Sequence, residues 1–259
     1  MFNKEEILKN VTDNDEKLLY AKSLDKAMLT AKRHEPAFTT FFDPFKLDRF
    51  KKLLGYTEIK VVDYGGFDEA ERRMIGFFPD YYDWDKAEFP ITPVEISFTR
   101  FSKTLTHRDF LGSVLGLGIT REKVGDIIVE DERAIVFAET SIADYIAANL
   151  EYVGHTKIKT CILESYAPPE KEAVEKKITV ASLRLDAVLS GCFNISRTKV
   201  SDLIKGEKAY INWLAADSPS KQLCEGDIIT LRGSGRAVLK EINGKTKKDR
   251  FLITVEIFK

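Results

Sequence analysis

Between residues 94 and 164 the hydrophobic period switches back and forth between two and three-to-four, and this rhythm restricts the fold more than any other feature. VEISFTRF (94–101) alternates like a strand, and HRDFLGSVLGLG (107–118) has the spacing of a helix closed by glycine. GDIIVEDERAIVFAE (125–139) reads as two strands around an acidic turn. SIADYIAANLEYVG (141–154) then reads as a helix and TKIKTCILE (156–164) as a strand.

Strand–helix–strand–strand–helix–strand is the split βαβ order of ferredoxin-like and RRM-like sheets. The flanks differ from it. KEEILKNVTDNDEKLLYAKSLDKAMLTAKRH ends before Pro36, and a second helical pattern opens at Pro44 and closes at Gly55. YTEIKVVDYGGFDEAERRMIGFFPD offers a strand, a Gly65–Gly66 turn and a short charged helix. SYAPPEKEAVEKKITV (165–180) combines a proline pair with alternating charge, the mark of an exposed boundary. The expectation is an α+β chain: a mainly helical domain at 1–90, an RRM-like domain at 91–166, a linker at 167–180 and a further domain at 181–259. A length of 259 residues accommodates this.

Charge is divided unequally along the chain. Residues 178–259 carry 14 Lys and Arg against 9 Asp and Glu, whereas residues 1–177 carry 26 against 32. A basic end on an acidic body suggests polyanion contact through that end. MFNKEEILKN is not a secretory leader, and no run reaches the ~18–20 apolar residues of a membrane span, so a cytoplasmic location is expected. Cys161, Cys192 and Cys224 are sparse and odd in number, without metal spacing, and are expected to be small buried hydrophobes.

RLDAVLSGCFNISRTKVSDLIKGEKAYIN (184–212) is the informative part of the basic end. Leu185, Val188 and Leu189 make one apolar helix face, with Arg184 off it and Gly191 as the stop. Ser196 is a fitting N-cap for a second helix, which buries Val200, Leu203 and Ile204 and stops at Gly206. Arg197, Ser201 and Lys205 fall on one exposed stripe flanked by Lys199 and Lys208. The start of this helix also points free N–H groups outward, as a phosphate site does. A solvated face is the plain alternative. Further on, Asn243–Gly244 opens a hairpin turn with Lys245, Lys247 and Lys248 at its tip, either to bind phosphates as point charges or to protect a sheet edge.

R-L-D, S-R-x-K, L-I-x-G, a strand bearing Asn212, a proline-containing turn and EGDIITL, in that order, resemble the S4 RNA-binding domain. Its fold is a helix pair on a small sheet, and the pair cradles structured RNA. One departure is YINW, where many members show V-x-V-N-G. AFTTFFDP (37–44), YGGFDEAERR (64–73), HRDFLGSVLGLGITREKVGDI (107–127) and the GKTKK tip (244–248) extend the resemblance to the YlmH family of bacterial S4-domain proteins.

That resemblance implies a non-enzymatic, ribosome-associated factor without cofactor or small-molecule substrate, monomeric and off the membrane. It would bind rRNA of the large subunit, and tRNA there, during quality control of stalled nascent chains. Arg184, Arg197, Lys199, Lys205 and Lys208 would meet phosphates, with Ser196 and Asn212 as polar helpers and Lys245, Lys247 and Lys248 at the tip. An S4-guided RNA-modifying enzyme and a division-linked adaptor are the alternatives.

Catalytic signatures are thin. HRDF (107–110) matches a kinase loop, but no glycine-rich loop, strand lysine or DFG accompanies it; His107, Arg108 and Asp109 either cap their helix or touch a partner. Asp68, Glu69, Glu71, Arg72 and Arg73 suit ion pairs on a short helix better than acid–base chemistry. Phe98, Phe101 and Phe137 could stack bases, though without an RNP consensus core packing is favoured.

Overall fold

A computed structural model describes residues 4–55, 57–99, 105–169 and 173–258. The chain divides into two compact units, Met1–Pro168 and Pro169–Lys259. The α+β class expected from the sequence holds: helices and several antiparallel sheets make up the described residues. Phe101 lies outside them.

The first unit opens with α1 (Lys4–Leu8) and α2 (Asn14–Arg33), followed by β1 (Ala37–Phe38), α3 (Pro44–Leu54), β2 (Lys60–Tyr64) and β3 (Met74–Phe78). Asp13 and Asp43 cap α2 and α3 by accepting the N–H groups of Glu16 (2.7 Å) and Lys46 (2.9 Å), and Pro44 fits the first turn, which has no use for its missing donor. Tyr20 and Leu24 of α2 close on Phe50 of α3 and on Ile75 and Phe77 of β3. Beside these helices, which hold more residues than the strands do, β1, β3 and β2 form a three-stranded antiparallel sheet.

The segment 67–73 is not the helix expected there. A Cβ on Gly65 would collide with the Arg72 carbonyl and Ala70, and one on Gly66, at φ 101°, with the Phe137 ring. The loop therefore doubles back tightly through two glycines instead of coiling. Its charges pair at a distance, Arg73 with Asp63 (3.2 Å) and Asp68 with Lys86, not along one helix.

The unit continues with β4 (Ile91–Ser97), α4 (His107–Gly116), β5 (Val124–Val129), β6 (Arg133–Glu139), α5 (Thr140–Asn149), β7 (Tyr152–Val153), β8 (Thr156–Lys157) and β9 (Lys159–Ile162). The sheet order is β5-β6-β4-β9, antiparallel throughout. Alternation sends Ala134, Val136 and Ala138 to one face with Phe110 and Val114 of α4 and Ala143 and Ile146 of α5. Ile135 and Phe137 go to the other, beneath Phe67, Ala70 and Tyr166. Phe137 is fully buried, 5.0 Å from the Phe67 ring, and Phe98 rests 5.6 Å from Phe110, so both candidates for base stacking are taken up by packing.

The second unit runs β10 (Ala173–Val180), α6 (Leu185–Phe193), α7 (Arg197–Lys205), β11 (Ala209–Ile211), β12 (Leu214–Ala215), β13 (Ile228–Leu231), β14 (Gly235–Lys245) and β15 (Phe251–Phe258). The six strands take the order β10-β15-β14-β13-β11-β12. Val188, Leu189, Val200 and Ile204 seal the helix pair onto Ile229, Leu239, Ile253 and Val255, each fully buried aliphatic contributing about 1.5–3 kcal/mol.

Three expectations change here. The linker segment is a strand from Ala173, paired with β15 along its length, its charge being the usual protection of an edge. Gly191 does not end α6; it lets the helix lie against Ile178, which a Cβ would meet at 2.9 Å, and the stop is Asn194 at φ 54°. Asn243–Gly244 lies within β14, in a register shift between Ile242 and Lys245 where Gly244 takes φ 94°, and the chain turns at 246–249.

Candidate nucleic-acid interface

The α6–α7 pair is organised by one acid. Asp186, in the first turn of α6, keeps only 6% of its side chain exposed. Its Oδ2 accepts Arg197 Nη2 from the start of α7 at 2.6 Å and Arg184 Nη2 at 3.3 Å, and its Oδ1 accepts Arg184 Nε at 3.1 Å and the Ala187 N–H at 2.9 Å. Burial pushes this carboxyl up, but the bonds from Arg197 and Arg184 outweigh it and hold the group below the usual carboxylate range. One buried charge thus fixes two guanidinium groups side by side. Their side chains remain 39% and 49% exposed, with donors left over for an outside oxygen. Two arginines against one carboxylate leave a surplus positive charge where the helices meet.

Around this pair the other expected residues separate into two groups. Lys199, Lys205 and Lys208 are exposed and make no ion pair among the described residues. Lys247 and Lys248 stand the same way at the 246–249 turn, whereas Lys245 bonds Asp249 at 2.7 Å and lies 5.0 Å over the Phe251 ring. Ser196 is occupied as the cap of α7, accepting the Lys199 N–H. Asn212 is occupied too: its amide donates to Asp227 at 2.8 Å and its carbonyl accepts the Ile228 N–H at 2.9 Å. It and Trp213, at φ 48° and 65°, form the two-residue turn between β11 and β12, a geometry that requires positive φ at both centres.

Two features escaped the sequence reading. Asp186 stood inside a recognised motif without a role, because its partner Arg197 lies eleven residues away on another helix. Lys221 enters because its carbonyl accepts the Leu185 N–H at 2.8 Å, beside the Arg184–Gln222 bridge, which brings another exposed lysine to the start of α6.

In the first unit, the segments 37–44, 64–73 and 107–127 converge on a second polar cluster. Arg72 donates to the carbonyls of Val124 (2.9 Å), Phe41 (3.3 Å) and Arg121 (3.2 Å), and Asp126 accepts the N–H groups of Glu71 (2.6 Å) and Arg72 (3.2 Å). Arg121 donates to the carbonyls of Val124 (2.5 Å) and Gly125 (3.2 Å). Burial lowers Arg72, and burial followed by Arg72 lowers Arg121 to about 10; burial raises Asp126. Burial, then Arg121, also holds His107 below its ordinary value. The cluster consists of side chains tying off loop backbone, which is what a clamp between chain segments does. Asp109 closes a capping box with Thr106, at 2.8 Å to its N–H and 2.7 Å to its hydroxyl. Among the described residues no group of three His, Cys, Asp or Glu is placed to hold a metal, and no helix is long and apolar enough to cross a membrane.

Comparison with known proteins bears on both units. A family model described as a putative RNA-binding domain in YlmH matches residues 85–165. The chain is 30% identical, over 244 residues, to the ribosome-associated protein quality control protein P2 of Bacillus subtilis (strain 168), covering 93% of this chain and 95% of that one. A solved structure titled cell division protein ylmH from Streptococcus pneumoniae is similar over 58% of this chain and 92% of its own, at 24% identity and a TM-score of 0.49.

Proposed function

The chain belongs to the YlmH family, and from that premise we infer that it is an RNA-binding, ribosome-associated protein. In this reading residues 181–259 are an S4 domain that docks on rRNA of the large subunit and touches tRNA there, in quality control of stalled nascent chains. It acts in the cytoplasm as a monomer and by binding, without catalysis or a cofactor. Residues 91–166 are an RRM-like domain, a reading supported by the sheet order β5-β6-β4-β9 with both helices on one face, the ferredoxin-like arrangement.

The observation that carries the proposal is the pair of guanidinium groups fixed by Asp186. Arginine forks suit phosphate oxygens, and holding them in advance lowers the entropy lost when RNA arrives. Lys199, Lys205 and Lys208 extend the same charge as sequence-blind phosphate contacts. The ribosomal setting is supported by the name of the Bacillus subtilis relative.

The test is co-sedimentation with bacterial large ribosomal subunits. Arg197→Glu is a poor probe, because it would set a second carboxylate against buried Asp186 and unsettle the fold. Lys199→Glu with Lys205→Glu touches exposed side chains only. Loss of at least tenfold in affinity with an unchanged thermal melt is expected; binding equal to wild type would remove this face as the docking surface.

A further inference from the structure

The cations of α7 continue past its end. Lys208 follows the last turn, its N–H donating to the Leu203 carbonyl at 2.9 Å. Its own carbonyl accepts the Arg232 N–H at 2.8 Å, which sets the β13–β14 turn beside it. Arg232 is exposed, has no carboxylate partner among the described residues, and lies 4.8 Å over the Tyr210 ring.

That ring is on the far side of the sheet from α6 and α7. Ala209, Ile229, Leu231 and Ala237 point into the core under the helices, so Tyr210, Thr230 and Arg236, directly paired across β11, β13 and β14, point the other way. Arg236 Nε reaches Thr230 Oγ1 at 3.5 Å. Of the acids nearby, Glu207 is exposed beside Lys208, and Glu256, on the same face, is held by Lys240 at 2.8 Å. Arg232 thus covers an aromatic ring, with Arg236 two strands away on the same face, where neither α6 nor α7 packs.

We propose that Tyr210 and Arg232 form a second RNA contact, on the helix-free face of the sheet, for an unpaired segment leading away from the helix pair. The chemistry is that of single-strand binding: bases stack on rings and on guanidinium planes, and cations track the backbone. A guanidinium already laid over a tyrosine presents a flat, charged surface whose stacking geometry is set before the ligand arrives. Lys205 ends α7, Lys208 follows it and the backbone of Arg232 bonds the Lys208 carbonyl, which gives one strand a run of cations leading from the helix pair to this ring. The inference rests on the reading of this unit as an RNA binder.

Full-length protein is assayed against bacterial large ribosomal subunits across a salt series, with the Lys199→Glu/Lys205→Glu double variant in parallel. Arg232→Gln is expected to weaken binding about five- to tenfold and to reduce the slope of log affinity against log salt by about 0.7–0.9, one phosphate contact. Tyr210→Ala should weaken it by a similar factor and Tyr210→Phe should not; the thermal melt of each verifies the fold. A photo-crosslinking residue at position 210 should attach to RNA. Arg232→Gln with wild-type affinity and slope, while the double lysine variant loses binding, overturns this contact and leaves the helix-face reading standing. If the lysine variant also binds as wild type, the helix-face reading has failed instead.

Discussion

Asp186 is the residue on which the candidate interface turns. Asp186→Asn would remove the charge that neutralises two arginines while leaving its shape, and since both guanidinium groups reach solvent the loss is expected to be about 1–3 kcal/mol of stability. The folded carboxyl lies below its unfolded value, so its contribution is complete above the ordinary aspartate range and is lost as pH falls through the lower folded value. Thermal melts of wild type and variant should accordingly differ at pH 7 and draw together as pH falls below the ordinary carboxylate range; a gap that does not narrow with acid would show that the ionised carboxylate is not what the variant removes. Asn212 is the contrasting case. The resemblance to S4 domains implied an RNA contact for it, but its partners Asp227 and Ile228 are fifteen and sixteen residues on, out of reach of any local pattern. Asn212→Ala should cost about 1–2 kcal/mol, through two lost bonds and a left-handed backbone position, and leave the salt slope of RNA binding unchanged. A changed slope would restore it as a contact.

At the level of elements, periodicity served well wherever one face of a segment is buried. The strand and helix pattern of 94–164 and the pair α6–α7 were legible because alternation and helical spacing follow directly from burial. It failed at glycines. Gly191 looked like a stop but allows α6 to approach Ile178, and Gly244 looked like a turn but sits in a bulge, because close approach and register belong to a partner strand that the local sequence does not name. The 67–73 loop failed for the same reason: charge spacing resembled a helix, while Gly65 and Gly66 allow a fold-back that no helix makes. Gly65→Ala is expected to destabilise the first unit by about 2–4 kcal/mol, since the new methyl strikes the backbone carbonyl of Arg72, which cannot rotate away. Hydrogen exchange would report it, with protection lost in β2, β3 and β6 and retained in β13–β15; retained protection in the first unit would show that the loop opens cheaply.

For the whole molecule, net charge is a poor guide and its distribution a good one. At −1 overall the chain has no global attraction for RNA, yet the basic surplus of residues 178–259 collects on few surfaces, chiefly Arg184, Arg197, Lys199, Lys205 and Lys208. If those five cations and Arg232 each neutralise one phosphate, log affinity for large subunits should fall against log salt with a slope of about −4.2 to −5.4. Acidic residues 1–177 would add little to that slope, and the half-buried Arg72 and Arg121 less than their number suggests, being bonded to backbone carbonyls. The same titration separates binding from the alternative of catalysis. A factor that acts by occupancy should lose its effect in step with affinity as salt rises, and its deletion should leave the nucleoside masses of rRNA and tRNA unchanged. A slope near zero would mean that recognition runs through non-ionic contacts, and one missing modification would make the first unit an enzyme aimed by the second.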